Sequence, residues 1–339
     1  MSSHKLLRSG RTAIASVVAT ALLSAGVIAP VPASAQSSLA QMTSSNYNGE
    51  WLGDTPFITG KTQVDGNFWV VDVWSPANAT IVSNNVLRPS TNTPRSTVYL
   101  LPGIAGGTSG MNWVTNSDIK SWAQDKNANF VMPLGGKFSL YTDWEESDFI
   151  LGVNKWETYM IHELPPLIDA EFNGTGRDAI AGLSSTGGAA LDIAGHAPHR
   201  FRAAASYSGF PVRSGLTGGA LSNLLISSGG GSSMNAFGVP GSSDWAEHDP
   251  AAHPERLINV AVFVGSAPGF PSGTNLTTFG PSVIERLAND SSNEFTTRAR
   301  AAGVTVNRYV AQSGSHDFGL FFNQLAVSWD QTIRPAIGA

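Results

Sequence analysis

The stretch Ala181-Gly182-Leu183-Ser184-Ser185-Thr186-Gly187-Gly188 sets a serine among small residues. Where a buried strand turns sharply into a helix, small flanking residues let the two elements pass closely. The strain of that turn exposes the serine hydroxyl for attack on an acyl carbon. The usual spacing is G-x-S-x-G, and here the second glycine comes one position late, at Gly187. The chain holds 36 glycines, so a plain glycine-rich turn is the competing reading.

A serine nucleophile needs a base, an acid that orients the base, and donors for the oxyanion. In α/β-hydrolases the chain order is serine, acid, histidine. Of seven histidines, only His248, His253 and His316 follow Ser184 at a useful distance. His316 lies in Gln312-Ser313-Gly314-Ser315-His316-Asp317, directly after the last expected strand, where a base can reach the turn. His248 and His253 fall in a polar, proline-containing loop and read as surface residues. The acid is left open by position. No carboxylate occurs in Gly265-Ser266-Ala267-Pro268-Gly269, and the next candidates are Glu285, Asp290 and Glu294 on an expected helix. Asp317 adjoins His316, but a sequence neighbour rarely faces the same ring. One oxyanion donor should be the Ser185 N–H. The other should come from Pro102-Gly103-Ile104-Ala105-Gly106-Gly107, with Ile104 N–H preferred, although this loop also reads as a simple glycine-rich turn.

These residues require a scaffold of alternating strands and helices. Strands are expected at 66–74, 97–101, 129–133, 178–182, 201–207, 257–264 and 304–310. Helical spacing covers 156–172, 187–196, 281–302 and 320–333. Residues 82–96 read as loop, and the Gly- and Ser-rich stretch 211–245 as a flexible insertion near the substrate. The alternation implies an α/β class with a doubly wound, mostly parallel central sheet and helices on both faces.

Composition narrows the function. Hydrophobic residues make up 42% of the 339, enough for a large core, and charged residues only 13%. The net charge of −5, without a basic block after the N-terminus, argues against nucleic acid as a partner. The absence of cysteine excludes disulfides, thiol catalysis and thiolate–metal sites. Lys5, Arg8 and Arg11 precede an apolar run from Thr12 to Pro30, and Ala33-Ser34-Ala35 fits a signal-peptidase site. The expected organisation is a secretory signal at 1–35, a flexible lead-in at 36–48 and one catalytic domain over 49–339. An uncleaved membrane anchor is the alternative for the first segment.

Several further segments carry a family likeness. They include Val131-Met132-Pro133-Leu134-Gly135-Gly136, Tyr141-Thr142-Asp143-Trp144, Lys155-Trp156-Glu157-Thr158 and Glu163-Leu164-Pro165. Gly182-Leu183-Ser184, Ser208-Gly209-Phe210, Asp249-Pro250 and Gly314-Ser315-His316 follow in family order. Over roughly residues 50–335 the chain resembles a mycolyltransferase of the antigen 85 type, in its corynebacterial form, on the α/β-hydrolase fold. The resemblance implies Ser184 as nucleophile, His316 as base and Glu285 as acid, through Pro281-Ser282-Val283-Ile284-Glu285-Arg286-Leu287. It implies Ile104 and Ser185 as oxyanion donors, Gly103 and Phe318 as substrate-contacting positions, and the late glycine as a family trait. It also implies acyl transfer from trehalose mycolates to trehalose monomycolate or a cell-wall glycan in a mycolate outer membrane. No cofactor, metal or obligate protein partner is expected. Where the family places an Asp and an Arg near its first oxyanion residue, this chain has Pro102 and Ala105. Asp317-Phe318 replaces Ser-Trp after the histidine, and the cysteine pair is missing. A secreted carboxylesterase and a non-catalytic wall- or matrix-binding relative are the competing readings.

Overall fold

A computed structural model describes residues 49–339 apart from 90, 92 and 270–275. The expected secretory signal and lead-in therefore lie outside the described residues. Nine strands form one sheet: β1 (Phe57–Asp65), β2 (Phe68–Ser75), β3 (Thr80–Leu87), β4 (Ser96–Leu101), β5 (Ala128–Pro133), β6 (Asp178–Leu183), β7 (Phe201–Tyr207), β8 (Ala261–Ser266) and β9 (Val306–Val310). Their order is β1-β2-β3-β5-β4-β6-β7-β8-β9. The pairs from β5 through β9 are parallel, and β1, β2 and β3 extend the sheet antiparallel from β5. This is the α/β class expected, with a mostly parallel sheet.

Alternation along each strand divides the core in two. Tyr99, Leu101, Ile180, Val262 and Val264 face one side, where they meet the helices Leu164–Phe172 and Gly187–His196. Val98, Leu100, Ala179, Ala181 and Phe263 face the other, against Trp113 and the helix Phe318–Ser328. Both faces are covered, so β4, β5 and β6 are buried along their whole length. The chain lays down β4, steps to β5 on one side, then returns to β6 on the other. Such a reversal opens a crevice at the carboxyl ends of the strands.

Five sequence expectations change. Residues 82–87 are not loop but most of β3. Its polar residues are buried and bonded: Asn84 Nδ2 donates to Val71 O, Val82 O and Tyr159 Oη, and Ser83 Oγ donates to Asp72. Residues 211–245 are not an unstructured insertion. They hold the helices Gly215–Ser228, Ser233–Phe237 and Ser243–Glu247, anchored by Leu225, Ile226, Phe237 and Trp245. The strand expected from Leu257 starts at Ala261, because Pro254–Leu257 is a 3-10 turn. The helix expected from Pro281 starts earlier, at Leu276.

The fifth change concerns His248, which is not a surface residue. Its side chain is 16% exposed and Nδ1 lies 3.4 Å from Asp192 Oδ2 and 3.3 Å from Glu157 Oε2. His196 Nδ1 lies 2.6 Å from Glu157 Oε1. These four side chains have the donor types of a metal site, and their donor atoms lie within 4.8 Å of one another. Two arginines occupy the same space. Arg213 Nη1 is 3.6 Å from Asp192 Oδ2, and Arg256 Nη1 is 2.6 Å from His196 Nε2. The group is thus charge-balanced by protein cations and acts as an ion-pair network. It ties Asp192 and His196, on the helix that leaves Ser184, to Glu157 and to the loop before β8. His253 does sit at the surface, paired with Glu255.

Burial alone would push the His248 pKa down, but hydrogen bonds to Asp192 and Glu157 outweigh it and raise the value to about 9. The folded pKa exceeds the unfolded one. The stabilisation is therefore complete below about pH 6.5 and disappears as pH rises through about 9, a contribution on the order of 3 kcal/mol. Thermal melts from pH 6 to pH 10 should show Tm falling on the alkaline side, and His248→Gln should flatten that limb. An equal alkaline fall in both proteins would remove His248 as its cause.

Candidate active site

Ser184 follows β6 directly and adopts φ +54°, a left-handed conformation that costs a non-glycine residue about 1–2 kcal/mol. A 3-10 turn Ser184–Thr186 leads into the helix Gly187–His196. The surrounding glycines are dictated by close approach. A Cβ on Gly182 would stand 2.1 Å from Thr186 O, and one on Gly187 would stand 2.5 Å from Ser206 Oγ and 2.7 Å from Gly209 Cα. The late glycine therefore has a cause. Position 187 passes against the end of β7, whereas Thr186 acts as a clasp, its hydroxyl donating to Pro102 O (2.8 Å) and Leu183 O (3.1 Å).

The strand ends are in register. Leu101 pairs with Gly182, Gly182 with Ser206, Tyr207 with Gly265 and Ser266 with Val310. Residues immediately beyond β4, β6, β7, β8 and β9 therefore gather along one edge of the sheet. Three of the residues singled out from the sequence meet there. His316 Nε2 lies 2.8 Å from Ser184 Oγ, and His316 Nδ1 lies 2.9 Å from Glu285 Oε2. Because the carboxylate accepts at Nδ1, the neutral ring carries its proton there and offers the Nε2 lone pair to the Ser184 hydroxyl. Ser184 and the His316 side chain are 7% and 6% exposed, and Glu285 is fully buried.

Glu285 projects from the helix Leu276–Ala301. Its second oxygen, Oε1, accepts from Ser208 Oγ (2.8 Å) and from Ala267 N–H (2.7 Å). Gln324 Nε2 donates in turn to Ser208 Oγ (2.8 Å). Ser208 follows β7 with φ +48°, fixed by its N–H donating to Gly265 O. A Cβ on Gly265 would stand 2.6 Å from Gln324 Oε1, so glycine leaves the room Gln324 needs. The His316 ring packs between Phe210 (centroids 6.1 Å apart) and Phe321 (5.0 Å, edge-on).

The loop after β4 is pinned through its carbonyls. Gly103 O accepts from Gly106 N–H, Ile104 O from Phe138 N–H (2.9 Å), and Gly106 O from Gly135 N–H (2.7 Å). Ser185 directly follows the nucleophile in the 3-10 turn, and Ile104 stands in the pinned loop after β4, the two positions expected to carry the oxyanion donors. Gly103 lies against Leu183, where a Cβ would stand 3.0 Å from Leu183 Cδ1. Phe318 is placed differently from a direct contact with the base. Its ring packs on Trp113 and Phe321, and it is Phe321 that touches His316. Asp317 caps the helix Phe318–Ser328 by accepting from Leu320 N–H, which leaves it out of the histidine's pairing.

Ser208, Gln324, Phe210 and Phe321 were not assigned roles from the sequence. Ser208 carried a usable signal, since it stands one residue past a strand end, as Ser184 does. The other three act across more than 80 residues of chain or from within a helix that reads as ordinary core.

Arranged this way, the site can run acyl transfer: a serine hydroxyl with a histidine acceptor and a buried carboxylate behind the ring. The family model described as "Putative esterase" matches residues 82–329. The MPT51/MPB51 antigen of Mycobacterium bovis is 31% identical over 239 residues, covering 69% of this chain and 78% of that protein. The diacylglycerol acyltransferase/mycolyltransferase Ag85B of Mycolicibacterium smegmatis is 30% identical over 241 residues, covering 67% and 73%. The crystal structure of Mycobacterium tuberculosis MPT51 (FbpC1) superposes with a TM-score of 0.69 at 26% identity, covering 80% of this chain and all of that one. The α/β-hydrolase arrangement of β4 to β9, the matched family model and these relatives agree: the chain belongs to the esterase family and, within it, to the antigen 85-type proteins.

Proposed function

We propose that the protein is a mycolyltransferase, which moves a mycolyl group from trehalose monomycolate through a Ser184 acyl-enzyme to a second sugar hydroxyl. The observation that carries this reading is the unbroken hydrogen-bonded line Ser184–His316–Glu285 at 2.8 and 2.9 Å. Relatives named mycolyltransferases support the acyl group. The name of an antigen such as MPT51 specifies no reaction, so the catalytic reading rests on this chain's own side chains.

His316 Nε2 takes the Ser184 proton as Oγ attacks the ester carbonyl. The imidazolium so formed faces the Glu285 carboxylate, which stabilises it. Negative charge developing on the carbonyl oxygen is met by the Ile104 and Ser185 N–H groups. The tetrahedral intermediate collapses, and His316 returns its proton to the departing trehalose oxygen. In the second half, His316 accepts the proton of the incoming hydroxyl, on trehalose monomycolate or cell-wall arabinogalactan, as that oxygen attacks the acyl carbon; collapse then breaks the acyl–Oγ bond and His316 returns the proton to Ser184. Transfer requires that water compete poorly. The near-complete burial of Ser184 and His316, and the two phenyl rings against the imidazole, favour this. Acceptor choice is where the chain departs from its family, at Pro102 and Ala105.

Two outcomes follow. Purified protein given trehalose monomycolate should form trehalose dimycolate in excess of free mycolate; predominant release of free mycolate would instead assign a carboxylesterase. Ser208→Ala removes a donor from Glu285 and leaves more charge facing the ring. The kcat for acyl transfer should fall roughly tenfold with KM little changed. An unchanged kcat, or a loss matched by a fall in thermal stability, would make Ser208 merely structural.

A further inference from the structure

The segment between Trp144 and Trp156 presents an apolar tip that stands exposed among the described residues. Phe149 is fully exposed (103%), Ile150 is 63% exposed and Val153 42%. The tip is rigidly built. Asp148 and Gly152 exchange backbone hydrogen bonds of 2.9 and 2.8 Å. The Asp148 side chain, itself 8% exposed, accepts from Ile150 N–H and Leu151 N–H through Oδ1. Through Oδ2 it accepts from Ser232 N–H (3.0 Å) and Asn235 Nδ2 (2.8 Å). A buried carboxylate with four donors thus holds a phenyl ring and an isoleucine out in water, where the hydrophobic effect penalises both. Met234, 56% exposed on the adjoining helix Ser233–Phe237, widens the patch.

The tip packs on a turn that itself packs beside the loop after β4. Ile150 and Leu151 lie over Gly230 and Gly231, where a Cβ would stand 3.0 and 2.4 Å from their side chains. Gly229 lies in the same way against Phe138, whose N–H bonds to Ile104 O. A series of direct contacts therefore links the tip, through the 229–231 turn and Phe138, to the loop that holds Ile104. The exposed charges on the segment are acidic: Glu145 and Glu146 face water and Asp244 adjoins Glu145, while its one cation, Lys155, is half-buried and turned to Trp144 O. An anionic headgroup surface would be repelled there, whereas an uncharged one would not.

We infer that the Phe149–Ile150 tip is an interfacial anchor, which seats the enzyme on the surface of a long-chain lipid without net negative charge. This rests on the acyl-transfer reading of the Ser184 site. It adds a second, separate contact, used only when the substrate is aggregated.

The test is the double variant Phe149→Ser/Ile150→Ser in the full mature chain. Hydrolysis of soluble p-nitrophenyl butyrate should stay within twofold of wild type, showing an intact fold and site. Co-sedimentation with phosphatidylcholine vesicles should fall at least tenfold, and so should turnover of trehalose monomycolate presented as aggregates. Wild type should bind vesicles containing 30% phosphatidylglycerol more weakly than pure phosphatidylcholine. Unchanged vesicle binding by the variant, or tighter binding of wild type to the anionic vesicles, overturns the proposal. A wild-type dimer that dissociates in the variant would overturn it too, by making the tip a protein contact. If trehalose monomycolate proves not to be a substrate, the vesicle measurements still decide the anchor on their own.

Discussion

Placing the Glu285 carboxylate out of contact with water costs several kcal/mol unless every oxygen is met by a donor. Much of the site is arranged around that requirement. Ser208 and Ala267, each one residue beyond a strand end, supply two donors, and His316 supplies the third. Ser208 reaches the carboxylate only because its backbone is held at φ +48°. Gln324 fixes the direction of the Ser208 hydroxyl, and Gly265 leaves space for Gln324. A carboxylate satisfied on one side by fixed donors leaves one oxygen, Oε2, for the imidazole. The ring orientation, and with it the lone pair offered to Ser184, follows from that.

The second requirement is that Ser184 stand where the lone pair points. Strand register brings the ends of β4, β6, β7 and β8 to one level, so the residues that matter are the first ones past each strand. Holding Ser184 at φ +54° needs the chain to turn back within a van der Waals radius of itself, which the glycines at 182 and 187 permit. The helix that leaves the turn is then braced from behind. Asp192 and His196 join Glu157, His248, Arg213 and Arg256 in a network that draws three distant segments together.

What was readable in the sequence follows the same physics. Parallel strands buried on both faces are continuous apolar runs, and β4, β5, β6 and β7 were visible as such within a residue or two. Ser184 and His316 were legible because chain order and strand ends restrict where a nucleophile and base can sit. Glu285 was not legible by position, since a carboxylate on a helix looks the same whether it faces solvent or a histidine; the family pattern supplied it. β3 was hidden because Ser83, Asn84 and Asn85 look like a loop until their partners are known. β1 was hidden because an edge strand with little burial has no alternation to show. His248 looked like a solvated loop residue because its two carboxylate partners lie 56 and 91 positions away. The stretch 211–245 was misjudged because glycine and serine lower helix propensity, whereas burial of Leu225, Ile226 and Phe237 overrides it.

The central claim is that Ser184 carries the acyl group covalently. Its most direct test is intact-protein and peptide mass spectrometry after a brief reaction with a p-nitrophenyl ester of a long-chain acid, quenched in acid. One acyl increment should appear, on the peptide containing Ser184, and should be absent from Ser184→Ala. An increment on another residue, or undiminished ester turnover by Ser184→Ala, would contradict the account.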